Sequence, residues 1–188
     1  MNARSLRSIY QLKVTLNHIS PPIWRRFLVA STTNLGDVHL TLQIVMGWTD
    51  SHLHEFVKEN ERYGEPDVEF PSNIQDETKF RLDQILKQEK DKLIYTYDFG
   101  DDWEHGVLLE KIFPFEHGVI LPTCIKGKRA CPPEDVGGVG GYTMFLEAVS
   151  DPLHPDYAEM RDWAGGDFDP ESFNQNVVNS LLHKYCKP

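Results

Sequence analysis

The chain has 188 residues, of which 40% are hydrophobic and 11% aromatic, and 19 Lys and Arg against 29 Asp and Glu give a net charge of -10. This composition excludes a disordered chain, and the negative charge argues against a protein that coats nucleic acid, because such binding relies on neutralising phosphates. No apolar run approaches the ~18 residues of a membrane span, and no apolar stretch follows the basic residues at the start, so we expect neither a transmembrane segment nor a secretory signal. Three cysteines indicate the reducing cytoplasm rather than a disulfide framework. We expect one domain over residues 1–188.

The first predicted elements are two strands and a helix. Apolar residues alternate over 10–16, and a second strand is predicted over 24–29 after the prolines at 21–22, so the two strands should pair antiparallel. Apolar residues then follow at the spacing of a helix face. We expect this helix to begin at Asn34, whose side chain can cap it, and to end at Gly47.

The middle of the chain predicts strands separated by turns. Residues 52–58 are predicted to form a third strand, and the polar stretch 59–79 a loop or short hairpin. Apolar residues alternate again over 93–99 and 105–109, on either side of a Gly-Asp-Asp turn. This pattern predicts a hairpin.

The C-terminal part of the chain predicts helices. Residues 114–141 contain too many Pro and Gly to be regular throughout. Helices are expected over 142–149, from about Pro155, and after an Asp169 cap followed by Pro170. Strands that come first and helices that come last predict an α+β fold: a mainly antiparallel sheet with helices packed on it.

The first motif with chemical potential is the His52-Leu-His54 sequence. Residues two apart on a strand share one face, so we expect the two imidazoles to project side by side. Neighbouring imidazoles are typical of half a site for zinc or another divalent metal. The alternative is a histidine pair on the solvent face of an edge strand.

A second motif is the acidic turn at residues 97–105, where four carboxylates accompany a histidine. Crowded carboxylates repel one another unless a cation compensates. That cation could be a metal ion, or it could be Arg25 or Arg26 from the basic N-terminal strand. Asp and Gly are also common turn residues, and the interleaved aromatic residues are typical of packing. The candidate metal ligands are therefore His52, His54, Asp98, Asp101, Asp102, Glu104 and His105.

A third motif, Cys-Pro-Pro-Glu-Asp-Val-Gly-Gly, occupies residues 131–138. Cys124 and Cys131 could join a histidine in a structural zinc site, but their spacing is not that of zinc pairs, and two buried or partly buried thiols are the favoured interpretation. The glycines that follow predict a conformationally demanding turn. Together the motifs supply these candidate ligand-binding residues: Arg25, Arg26, Trp48, Trp103, Glu134 and Asp135.

Five sequence blocks in one order resemble the plasmid pRiA4b ORF-3-like family. They are Pro-Pro-Ile-Trp-Arg-Arg (21–26), Met-Gly-Trp-Thr-Asp-Ser-His-Leu-His-Glu-Phe (46–56), Tyr-Asp-Phe-Gly-Asp-Asp-Trp-Glu-His (97–105), Ala-Cys-Pro-Pro-Glu-Asp-Val-Gly-Gly (130–138) and Gly-Gly-Asp-Phe-Asp-Pro-Glu (165–171). The resemblance implies a single α+β domain of bacteria and archaea and brings no catalytic residue. Some members carry names that suggest a resolvase or a passenger of mobile elements. A serine recombinase needs a nucleophilic serine beside an arginine cluster and also a separate DNA-binding part, and we find neither feature in this acidic chain.

Two hypotheses for function follow. The first is a non-enzymatic module that binds a protein or a small-molecule ligand through the histidine strand, the acidic turn and the 130–138 loop. The alternative is a metal-dependent hydrolase, directed at phosphoesters or nucleic acid, in which a carboxylate acts as base on a metal-bound water. A divalent metal ion is the one candidate cofactor. A shared metal site requires His52 and His54 to lie within about 10 Å of the acidic turn, since ligand bonds reach only ~2 Å.

Overall fold

The computed structural model describes residues 8–66 and 73–186, and its central feature is an eight-stranded sheet. The strands are β1 (Ser8–Leu16), β2 (Trp24–Ala30), β3 (His54–Lys58), β4 (Glu61–Gly64), β5 (Ile74–Asp76), β6 (Lys92–Tyr97), β7 (Trp103–Pro114) and β8 (Thr123–Lys128). Their spatial order is β5-β4-β3-β6-β7-β1-β2-β8. Neighbours pair antiparallel, except that β4 and β5 are parallel.

Helices cover the apolar face of this sheet. They are α1 (Leu35–Met46), α2 (Leu82–Ile85), α3 (Gly138–Ser150), α4 (Tyr157–Trp163) and α5 (Gln175–Tyr185), with one 3-10 turn at Glu77–Lys79. Helix α5 packs on α1 and β8, and α3 packs on α4. No helix in the described ranges combines the length and the apolar character needed to cross a membrane.

The core follows from side chains that alternate along the strands. In β1, Leu12 and Val14 are fully buried, whereas Lys13 between them is partly exposed. Leu42 of α1 and Phe145 of α3 enter the same hydrophobic cluster from the helical layer. The predicted α+β architecture, with helices on a mainly antiparallel sheet, is confirmed.

The predicted ends of the first helix are confirmed in atomic detail. The Asn34 side chain accepts a hydrogen bond from the Asp37 backbone N–H at 2.9 Å. At the other end, Gly47 adopts a left-handed conformation with φ of 97°, and its N–H donates to the carbonyl of Gln43. Both ends depend on residues within a few positions, so the local sequence suffices to predict them.

Other boundaries differ from the prediction. Strand β3 begins at His54 rather than at residue 52, and α3 begins at Gly138 rather than at residue 142. The last helix begins at Gln175, because Asn174 caps it. The expected cap, Asp169, instead accepts from the Glu171 N–H in a separate turn.

Some elements were not predicted, or were predicted only in outline. In the stretch 59–79, predicted as a loop or short hairpin, β4 forms a hairpin with β3 and β5 pairs parallel to β4, while residues 67–72 lie outside the described residues. The short helix α2 and strand β8 were also missed. These elements are short. Residues distant in sequence stabilise two of them: β8 pairs with β2, and the Leu82 N–H of α2 donates to the carbonyl of Thr33.

The side chains of Arg25 and Arg26 in β2 lie on opposite faces of the sheet. The buried Arg25 donates from Nε to the carbonyl of Val45 at 2.7 Å and from Nη1 to that of Lys128 at 2.8 Å. Arg26 forms a two-point ion pair with Glu110, with Nη2 2.8 Å from Oε1. The hypothesis that one of them neutralises the acidic turn is therefore wrong.

Candidate functional site

Three segments that are far apart in sequence meet at one end of the sheet. They are residues 48–52 after α1, the 97–102 turn between β6 and β7, and the 132–138 loop before α3. The buried Trp48 donates from Nε1 to the carbonyl of Pro132 at 3.0 Å, which fixes the loop against the first segment. All three motifs singled out in the sequence thus contribute to one place.

Asp98 organises the acidic turn and keeps one oxygen free for another contact. Its φ is 57°, and its Oδ1 accepts backbone hydrogen bonds from Gly100 at 2.8 Å and Asp101 at 3.3 Å. The other oxygen, Oδ2, lies 3.7 Å from Nε2 of His52. The turn therefore presents a largely buried carboxylate oxygen toward His52.

Two glycines allow the 132–138 loop to approach this turn. The Gly137 N–H donates to Asp101 Oδ2 at 3.1 Å. Gly138 has a φ of 66°, and a Cβ at this position would lie 2.6 Å from the Asp101 carbonyl oxygen. A side chain at residue 138 would push the loop away, so the Gly-Gly pair is a requirement of this contact.

His52 lies among three carboxylates, and we call His52, Asp98, Glu134 and Asp135 the His52 cluster. The Nε2 atom of His52 is 3.0 Å from Asp135 Oδ1 and 3.9 Å from Glu134 Oε2. This nitrogen is buried, yet none of its contacts with the described part of the chain has hydrogen-bond geometry. Across residues 8–66 and 73–186, no Lys or Arg forms an ion pair with these carboxylates. Donor atoms of His52, Asp98 and Asp135 all lie within 4.8 Å of one another.

Glu134 is held in place by groups other than His52. The backbone N–H of Thr49 donates to its Oε1 at 2.8 Å, and the Tyr97 hydroxyl lies 3.2 Å from both carboxylate oxygens. Burial, together with the charge of Glu134, raises the pKa of Tyr97 to about 12. The hydroxyl therefore stays protonated and donates to Glu134.

An open cleft of about 670 Å³ adjoins the cluster. Asp50, His52 and His54 contribute to its wall, and the half-exposed Phe99 lies at its edge. The His52 side chain is 28% exposed. A small molecule in the cleft can therefore contact His52.

His54 belongs to a different, buried group. Its Nε2 lies 2.9 Å from Glu77 Oε2, and its ring stacks on His39 with centroids 3.4 Å apart and planes 5° apart. Because β3 begins at His54, its side chain does not project beside His52, and that prediction is wrong. Donor atoms of His39, Asp50 and His54 also lie within 4.8 Å of one another. The in-plane lone pairs of the two stacked rings lie in parallel planes, however, and lone pairs in separate parallel planes cannot both point at one ion at ~2.1 Å.

A chain of hydrogen bonds explains the buried histidines without a metal. Gln43 Nε2 donates to the Tyr95 hydroxyl at 2.9 Å, and that hydroxyl is 2.8 Å from His39 Nδ1. The other ring nitrogen of His39 is 2.8 Å from Asp50 Oδ1. Burial first, and then the nearby His54, lower the pKa of His39. A neutral His39 that accepts from Tyr95 and donates to Asp50 satisfies this chain.

Two tyrosines provide a test of this network. We expect Tyr95→Phe to lower the free energy of unfolding by about 2 kcal/mol, because it leaves buried partners unsatisfied. The Tyr142 hydroxyl is buried and has no hydrogen-bond partner within residues 8–66 and 73–186, so Tyr142→Phe should raise stability by up to about 1 kcal/mol. Urea unfolding of both variants measures the difference. Equal losses in the two variants would contradict the assigned network.

The remaining candidate ligands lie outside the His52 cluster. His105 is fully buried against Trp48, and Glu104 accepts from Asn17 Nδ2 at 2.8 Å. Asp102 is an exposed turn residue, and Asp101 binds the loop backbone. Trp103 is buried in the core beside Trp48. The structure does not bring these residues together into one site. Their roles as ligands stay predictions.

The cysteines are thiols within the packed structure. Burial raises the pKa of Cys124 and raises that of Cys131 to about 12, so both remain protonated. Within the described part of the chain, neither belongs to a group of three metal donors. Cys124 is buried and Cys131 is partly buried, so the geometry favours the interpretation as buried or partly buried thiols.

Sequence reasoning missed several residues around the site. Thr49 and Tyr97 position Glu134. Both lie inside motifs identified in the sequence, but nothing in the sequence indicated their roles. His39 and Glu77 gave no signal, because His39 is one of several polar residues in α1 and Glu77 is one of three in the 3-10 turn, and neither belongs to a recognisable motif. Their contacts with His54 depend on tertiary packing.

The chain is similar in sequence and in fold to known proteins. The sequence profile described as "Plasmid pRiA4b ORF-3-like protein" matches residues 8–177. "Uncharacterized protein y4hQ" of Sinorhizobium fredii is 40% identical over 177 residues, which cover 93% of this chain and 91% of that protein. A crystal structure of a "Protein of Unknown Function MM3350" from Methanosarcina mazei Go1 is similar with a TM-score of 0.81 and 39% identity, over 92% of this chain and 98% of that one.

Proposed function

This chain belongs to the plasmid pRiA4b ORF-3-like family, and from the geometry of the His52 cluster we propose that the protein binds one divalent metal ion and uses it in hydrolysis. His52, Asp98 and Asp135 would be the ligands. The observation that carries the proposal is the buried Nε2 of His52, which faces carboxylates and has no hydrogen-bond partner among the described residues.

The distances among the donor atoms suit a metal ion. Ligand bonds of about 2.0–2.2 Å place neighbouring donors roughly 3–3.5 Å apart. His52 Nε2 lies 3.0 Å from Asp135 Oδ1 and 3.7 Å from Asp98 Oδ2. Small rotations of side chains would bring these atoms to bonding distance, and Asp135 is free to move because its side chain is 70% exposed.

Charge supports the same proposal. Asp98, Glu134 and Asp135 bring three carboxylates together, and His52 can supply at most one positive charge. Uncompensated charges at a partly buried site repel one another and lose hydration. A divalent cation would offset both costs. One imidazole with carboxylates suits zinc or manganese better than magnesium or calcium, which prefer oxygen ligands alone.

The hydrolytic part of the proposal rests on Glu134 and the cleft. Three protein ligands leave a coordination position open for water, and a metal lowers the pKa of that water toward neutrality. Glu134 lies beside the ligands in an orientation that Tyr97 and Thr49 fix, so it can accept a proton from such a water. None of the described residues that line the cleft is Lys or Arg. This charge distribution favours a neutral or cationic ester or amide over a phosphoester.

Metal binding tests the site directly. We expect about one Zn²⁺ or Mn²⁺ per chain by elemental analysis after loading, with a rise in melting temperature that chelation reverses. Asp98→Asn should weaken the affinity by about 100-fold or more, since a direct ligand contributes at least as much as an outer-shell partner. Asp102→Asn is the matched control, because Asp102 is exposed in the same turn and outside the cluster. A substoichiometric metal content, or equal affinity in the two variants, would refute the metal site.

The reaction requires a separate measurement. The metal-loaded protein should hydrolyse p-nitrophenyl acetate faster than the chelated protein and should prefer it to p-nitrophenyl phosphate. Glu134→Gln should keep the metal and lose most of this activity. If the metal-loaded protein hydrolyses neither ester, the hydrolytic role proposed for Glu134 is excluded. The protein would then be a metal-binding module without this activity.

A further inference from the structure

A second surface lies next to the 132–138 loop, between α3 and α4. This α3–α4 groove has a volume of about 350 Å³. Its lining residues are mostly apolar, and the set comprises Asp135, Val136, Gly141, Met144, Phe145, Ala148, Asp156, Met160 and Trp163. The groove is separate from the cleft beside His52, although Asp135 borders both the groove and the His52 cluster.

Large apolar side chains are exposed along the groove. Met144 is 67% exposed and Trp163 is 46% exposed. The buried Phe145 forms the floor, and its ring meets that of Trp163 edge-on at 5.8 Å. Exposed apolar groups in contact with one another are typical of interaction surfaces, and flexible methionines adapt to varied partners.

The charges around the groove have one sign. Its two ionisable lining residues are Asp135 and Asp156, with side chains 70% and 63% exposed. Arg161 on α4 does not offset them, because its Nε already contacts Asp167 at 2.6 Å. Residues 130–188 carry ten Asp and Glu against three Lys and Arg. An apolar groove with an acidic rim complements a partner that is apolar and basic.

We propose that the α3–α4 groove binds an amphipathic, basic polypeptide segment of a partner protein. An apolar side chain of the segment would enter between Met144, Met160 and Trp163. Lysine or arginine side chains beside it would pair with Asp135 and Asp156. The proposal does not depend on the metal site, because the apolar contacts come from α3 and α4.

A synthetic probe tests the groove without knowledge of the partner. The probe is a 14-residue peptide of Leu and Lys in a helical amphipathic pattern, titrated into the full-length protein in EDTA. Of the four tryptophans, Trp163 lines the groove. Trp48 and Trp103 are buried, and Trp24 lies in β2 and does not line the groove. We therefore expect a saturable change in fluorescence that Trp163→Phe removes. The matching Leu and Glu peptide should not bind. Failure to saturate, or equal binding of both peptides, would overturn the proposal.

A matched pair of variants separates groove binding from general attraction to an acidic protein. Met144→Gln keeps the charge and removes an apolar contact, and we expect it to weaken binding of the Lys peptide by about tenfold. Leu153→Gln is the control, since Leu153 is 90% exposed and does not line the groove. Equal affinities for the two variants would show that the peptide binds through charge alone and would reject the groove. Because EDTA removes metal, these results stand apart from the outcome at the His52 cluster.

Discussion

Gly141→Ala is expected to lower the free energy of unfolding by about 3 kcal/mol. A Cβ at this position would lie 1.9 Å from the carbonyl oxygen of Val136. That atom belongs to the backbone, so it cannot rotate away as a flexible side chain would. Relief of the clash requires movement of the 132–138 loop, which carries Glu134 and Asp135. We therefore expect loss of metal affinity together with loss of stability.

The neighbouring glycine provides the control. Gly140 lies in the same helix, and a Cβ there would meet nothing within 4 Å. Gly140→Ala should raise stability by about 0.5–1 kcal/mol, because alanine loses less backbone entropy in a helix. Urea unfolding of both variants measures the contrast. Similar stabilities for the two variants would contradict the close contact between α3 and Val136.

The second large effect concerns pH. His105 is completely buried, and its Nδ1 donates to the Tyr95 carbonyl at 3.2 Å, while its Nε2 has no hydrogen-bond partner in the part of the chain that the structure describes. Burial lowers its pKa from 6.5 to about 4. The unfolded chain therefore binds a proton more tightly than the folded one between these values. Stability from this group should be complete above pH 6.5 and should fall by about 3 kcal/mol as the pH drops to 4.

A variant that cannot titrate isolates this contribution. His105→Gln will be destabilised at pH 7, because the amide packs differently from the ring. The difference in free energy of unfolding between the wild type and His105→Gln should become smaller, or change sign, as the pH falls from 7 to 4.5. Denaturant unfolding at several pH values measures this difference, and carboxylates that titrate in both proteins cancel. A difference that stays constant with pH would mean that His105 is not buried in neutral form.

The local sequence predicted those elements whose signals come from near neighbours. Asn34 and Gly47 could be identified as the ends of α1, because each forms its capping hydrogen bond with a residue only three or four positions away. Strand β8 gave no such signal, because its pairing with β2 is what orders it. The helix expected near Asp169 began later for a related reason: several residues offer capping oxygens, and tertiary packing determines that Asn174 is used.

The candidate site was predicted as a region but not as a set of contacts. Three noticed motifs supply the His52 cluster, yet the start of β3 decides that His52 enters it and His54 does not. A shift of a strand end by two residues cannot be derived from alternation alone. Arg25 was also beyond sequence reasoning, because backbone carbonyls rather than acidic side chains satisfy it.

Asp135 borders both proposed binding surfaces, and thermodynamic linkage follows from this position. A carboxylate that is neutralised by a metal ion offers less negative potential to a lysine in the groove. A lysine bound there likewise competes for the same oxygens. Since binding free energies around a closed cycle must balance, each ligand must reduce the affinity for the other by the same factor. The loop that brings the motifs together would thus make the two surfaces antagonistic.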